Sequence, residues 1–196
     1  MEKTIMSAEE HKSRSDRSYK LILGFAMVSM TMMFAGLTSA FVVSKSRGDW
    51  MKNFEIPSAF YASTVVLICC SITFHIAKRA IKKDNRSLVT SMLLTTLGLA
   101  ALFVFLQFKG FGQIVAAGHY FTGSASNITT TFLYVVTCAH LLHLFGGVIS
   151  LLIIIYNHFK QKYNSSQTLG IELGAMYWHF LDFLWLYLFL FLYFFK

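Results

Sequence analysis

Five apolar stretches, each long enough to cross a bilayer as a helix, leave this chain of 196 residues few folds to choose from. They run over about residues 21–43, 60–80, 88–108, 132–156 and 171–195. A backbone in hydrocarbon must satisfy its own hydrogen bonds, so stretches of this length and composition predict helices. The expected fold is therefore an all-α integral membrane bundle of five transmembrane helices. Residues 1–20 are expected to form a polar cytoplasmic tail or a short surface helix, and residues 21–196 a single membrane domain. With 56% apolar residues, the chain is too apolar for a soluble domain of its size.

The net charge of +8 does not point to nucleic acid, because the basic residues sit at the ends of the apolar stretches. Twelve of the 17 Lys and Arg residues lie in the N-terminal tail and in the second and fourth connections, and five lie in the alternate segments. This asymmetry predicts a cytoplasmic N-terminus and an external C-terminus. The three cysteines, Cys69, Cys70 and Cys138, fall inside spans and read as small packing residues. No CxxC, CxxxC or CxxCH string occurs, which argues against a c-type cytochrome and a copper-binding oxidase subunit.

Most of the polarity committed to the membrane is in the last span. At about 100° per residue, Glu172, Ala175, Trp178, His179, Asp182 and Trp185 share an arc of roughly 140°. The opposite face is Leu, Phe and Tyr. An acid costs several kcal/mol in hydrocarbon, so this arc should face protein, water or a headgroup. Two readings stand: Asp182 and His179 pair with a neighbouring helix, or they form an ionisable site coupled to ion or proton movement.

The fourth span carries a similar stripe of Thr137, His140, His143, Gly147 and Ser150, which reads as a helix–helix seam. In the second span, His75, Lys78 and Arg79 approach the basic end. His75 either hydrogen-bonds within the bundle or joins Arg79 and Lys78 in holding a lipid phosphate. Gly36 and Ala40, four apart in the first span, would let another helix come close. Lys109 to Ser126, with four glycines, reads as an outer loop. His140 and His143, with His75 and His179, raise the possibility of haem or zinc, but hydrogen bonds across helices account for them better and no metal is expected in the chain.

The string Tyr177-Trp178-His179-Phe180-Leu181-Asp182-Phe183-Leu184-Trp185 closely resembles the YWHFVD-x-x-W ending of subunit III of the haem-copper cytochrome c and quinol oxidases. Thr137 to Gly147 is similar to that family's T-G-x-H-G-x-H-x-x-x-G helix, with Cys138 and Leu141 at two positions where the family has small residues. Gln107 resembles a family glutamine. Met30 stands where the family usually has a membrane glutamate, so no role of that carboxylate carries over.

The resemblance implies a short, five-helix subunit III without the first two helices of the seven-helix form. It implies no redox centre in this chain, with haem and copper in partner subunits. The expected partners are the catalytic subunit I, other oxidase subunits, bound phospholipid and an upstream respiratory complex. The expected location is a bacterial-type inner membrane, and the expected role is support of assembly, proton uptake and sustained turnover. Asp182, His179, His140 and His143 are expected to form one hydrogen-bonded cluster between the last two helices. Two rival functions are a small b-type cytochrome and a proton-coupled transporter using Asp182 and Glu172.

Overall fold

In a computed structural model, which describes residues 8–48, 50–51, 55–123, 126–164 and 167–195, the five apolar stretches are the centres of five longer helices. These are α1 (Ala8–Val43), α2 (Ser58–Lys82), α3 (Arg86–Ala116), α4 (Ile128–Phe159) and α5 (Leu169–Phe195). All five are long and apolar enough to span a membrane. Residues 1–7 of the expected tail and residue 196 lie outside the described residues.

Helix ends are settled by local chemistry. The Asn85 side chain accepts from the Leu88 N–H at the start of α3, and Asn127 accepts from the Thr130 N–H at the start of α4. Three helices finish in the same way, with a left-handed residue and two backbone bonds that satisfy late carbonyls. At α2, Asp84 has φ 51° while Asp84 N–H and Asn85 N–H donate to Ile81 and Ala80. Gly118 and His119 repeat the pattern after α3, and Gln161 and Lys162 after α4. The Asp84 turn folds α2 back on α3, and these two helices make the most extensive contact in the molecule.

One expectation changes here, and a second is narrowed. The expected loop at Lys109–Ser126 begins later, because residues 109–116 belong to α3. Gly110 does not break the helix; it lies under the Phe60 ring, where any Cβ would collide, and so permits close approach of α2. The expected tail is also largely helical, with α1 continuing outward from the membrane-length stretch to Ala8.

α5 occupies the centre. It packs against α4, α2 and α1, whereas α3 completes the bundle through α2 and α4. Trp178, Leu181 and Trp185 of α5 join Leu67 and Phe74 of α2, Phe103 of α3 and Leu144 of α4 in the main core. α1 is the outermost helix and presents only a narrow inner face through Phe34, Thr38 and Phe41. Gly36 and Ala40 are exposed on it, and nothing lies within 4 Å of a Cβ built on Gly36. The close approach expected there therefore involves no helix among the described residues: α1 meets α5 with its bulky face instead.

Candidate functional site

The polar arc of α5 is divided among three neighbours. At its first turn, Glu172 accepts from Lys20 of α1 at 3.0 Å and from Thr168 at 3.1 Å, with Lys82 of α2 at 3.6 Å. One carboxylate thus ties three helices together at the basic end of the bundle. All three side chains retain some exposure, so water and salt screen the attraction and its contribution is about 1 kcal/mol at most. Glu172→Gln is expected to lower the thermal midpoint slightly at low salt and to remove most of the salt dependence. An unchanged salt response would show that the three charges contribute nothing.

Ten residues further on, Asp182 and His179 face α2 rather than α4. His179 Nδ1 and Ser71 Oγ share a hydrogen bond of 2.7 Å, and Asp182 Oδ2 lies 3.9 Å from the same nitrogen. The Ser71 hydroxyl lies between the two: the tautomer of His179 decides whether it donates to the ring or toward the Asp182 carboxyl, whose oxygens have no other partner among the described residues. His75, one turn from Ser71, is exposed with its ring centroid 6.0 Å from that of His179. Arg79 is also exposed and Lys78 half-buried, so these three side chains lie along the surface of α2 at its basic end.

The two histidines of α4 go elsewhere. His140 is fully buried in an aromatic cage, 5.1 Å from Trp185 and 6.1 Å from Phe103 by ring centroids, with neither ring nitrogen hydrogen-bonded among the described residues. His143 donates from Nδ1 to the Ala139 carbonyl at 2.7 Å and meets Phe34 of α1 edge-on at 5.7 Å. The expected four-residue cluster is therefore not assembled. Asp182 and His179 come together, while His140 and His143 separate from them and from each other. A shared arc specifies direction about one helix axis, and α5 has different neighbours on the two sides of that arc.

Other expected features fall into place. Gly147 is the seam between α4 and α5, because a Cβ there would come within 2.9 Å of Leu181 and 3.4 Å of Trp178. Thr137 is fully buried, and its hydroxyl has no partner among the described residues. Trp178 and Trp185 are each 1% exposed, and the Trp185 indole donates to Thr64 Oγ1 at 3.1 Å. Three polar links that the sequence reading missed also join helices. Gln107 donates to Ser63 at 2.9 Å, Thr90 and His158 share a bond of 2.9 Å, and Thr38 and Tyr187 one of 3.0 Å. Their sequence signal was a lone hydroxyl or amide within an apolar stretch. Of the cysteines, Cys70 is buried, and Cys69 and Cys138 are exposed. Among the described residues, no three His, Cys, Asp or Glu side chains converge as a metal-binding group.

Five bilayer-length helices joined by short connections and interhelical hydrogen bonds define a multi-pass membrane protein. The family model for cytochrome c oxidase subunit III matches residues 2–196, and the chain belongs to that family. It is 28% identical to cytochrome c oxidase subunit 3 of Thermostichus vulcanus over 85% of this chain and 82% of that protein. It is 32% identical to the Spodoptera frugiperda protein of the same name, over 71% of this chain and 89% of that protein. Against the subunit 3 of Pelomedusa subrufa it is 30% identical over 73% of this chain, but the match covers only 51% of that longer protein.

Proposed function

We propose that this chain is a non-redox subunit III of a proton-pumping terminal oxidase that reduces oxygen to water. It supports assembly, proton uptake and sustained turnover of the catalytic subunit, which carries the haem and copper with the other oxidase subunits. The observation that carries this reading is the family match across residues 2–196. The placement of the histidines supports it: His140 is enclosed by aromatic rings, His143 is bound to its own backbone, and His179 is bonded to Ser71. The rings of His140 and His143 meet no other histidine ring among the described residues, and His179, which lies 6.0 Å from the exposed His75, spends Nδ1 on Ser71.

The distribution of Lys and Arg supports a cytoplasmic N-terminus in a bacterial-type inner membrane. His75, Lys78 and Arg79 then lie at cytoplasmic headgroup depth, where two cationic side chains and an imidazole suit a phospholipid phosphate. An upstream respiratory complex is a further expected associate.

Purifying an affinity-tagged chain from its native membrane is the test. The expected result is a set of oxidase subunits with haem absorbance, together with a colourless chain once those subunits are stripped away. A Soret band retained by the isolated chain would establish the b-type cytochrome instead. Transport by the chain alone in vesicles would establish the transporter.

A further inference from the structure

Two grooves open from the bundle toward the surrounding bilayer. The one between α3 and α4, about 420 Å³, is lined by Leu97, Ala100, Val104, Phe108, Leu141 and Phe145. Acyl chains fill such a groove without leaving any polar group unsatisfied. The one between α2 and α5, about 290 Å³, has the same kind of rim in Ile68, Ile72, Phe183 and Leu186, all exposed. Its floor differs, because it holds Ser71, His179 and Asp182.

The Asp182 side chain is 11% exposed, and neither of its oxygens is hydrogen-bonded among the described residues. His179 Nε2 is also buried and unbonded. Asp182 is the middle residue of α5, so about 20 Å of helix separates it from either end. Lipid presents only hydrocarbon at that depth and has no donor for a carboxylate. Exposed side chains also continue along both helices at three- and four-residue spacing, Val65, Ile68 and Ile72 on α2 and Phe183, Leu186 and Leu190 on α5. Two such ridges flanking a furrow are the surface against which a further helix packs.

We infer that the α2–α5 groove receives a transmembrane helix of the catalytic subunit, and that this helix carries a polar side chain to Asp182 and His179 at mid-bilayer depth. This rests on the reading of the chain as an oxidase subunit. The partner is chosen by complementarity: an apolar helix fits the rim, and one polar side chain on it meets the Asp182 carboxyl and His179 Nε2, which lipid tails would leave unmatched.

The test is photocross-linking in the intact complex in native membranes, with p-benzoylphenylalanine at Ile68 or Phe183 and, as control, at Phe145 in the apolar groove. Ile68 and Phe183 are expected to label a single transmembrane helix of the haem-carrying subunit, and Phe145 to label lipid. Asp182→Leu, which suits hydrocarbon but offers no acceptor, is expected to lower retention of the chain in the detergent-washed complex about tenfold, normalised to its abundance in the membrane. Lipid adducts alone at Ile68 and Phe183, or full retention of the Asp182→Leu chain, would overturn the docking face. If the chain copurifies with the oxidase but cross-links through another face, only this inference fails. If it never copurifies, the subunit assignment itself fails.

Discussion

Trp185→Ala is expected to destabilise the chain by about 3–5 kcal/mol, the range for emptying a large buried aromatic site. The indole is 1% exposed and sits where four helices meet. Its ring centroid lies 6.0 Å from Phe60 of α2, 5.4 Å from Phe103 of α3 and 5.1 Å from His140 of α4. Truncation removes all three ring contacts and also the hydrogen bond that its N–H donates to Thr64. None of the remaining helices can close the gap without giving up its own packing. With the exposed Cys69 and Cys138 replaced by alanine, the buried Cys70 offers a readout, because its thiol then reacts with a fluorogenic maleimide only when the core opens. The variant should react at a temperature several degrees lower. A midpoint within one degree of wild type would mean that the aromatic cage does not hold the bundle together.

The second large effect concerns glycine, and its sign depends on which glycine is changed. Gly110→Ala is expected to cost about 1–3 kcal/mol, because the new methyl group meets the edge of the Phe60 ring. That ring is 1% exposed and wedged edge-on between Phe111 and Trp185, so it cannot move aside. Gly112→Ala, two residues later in the same helix, meets nothing within 4 Å and should gain about 0.5–1 kcal/mol through reduced backbone entropy. The Cys70 assay measures both. Equal shifts of the same sign would show that α2 and α3 do not approach at Gly110 as described.

This pair also shows where reading the sequence succeeded and where it stopped. Apolar length identified all five helices, because hydrocarbon thickness sets a minimum that ordinary segments do not reach. It did not locate their ends, because a helix can continue into the polar region once its late carbonyls are capped, as at Gly118. Gly110 and Gly112 looked alike as letters in a presumed loop, and only the ring above one of them distinguishes them. The same applies to the candidate site. Helical spacing put Gly147 on a helix–helix seam without naming the helix opposite, which is α5, and the expected cluster put Asp182 beside α4 when its neighbour is Ser71 of α2. A helical wheel gives angles about one axis and contains no information on which helix stands at each angle.

The attachment of α1 has a consequence for how the molecule is made. Its inner face is completed chiefly by α5, and Lys20 finds Glu172 across 152 residues of chain. At ribosomal speeds of roughly 5–20 residues per second, that separation amounts to about 8–30 s of synthesis. Until α4 is made α1 waits in the bilayer with the contacts of Phe34 to His143 and of Phe41 to Phe132 unformed, and until α5 is made the ammonium group of Lys20 lacks its carboxylate. Biogenesis therefore runs against chain order: α1 is fully docked only after α5 arrives.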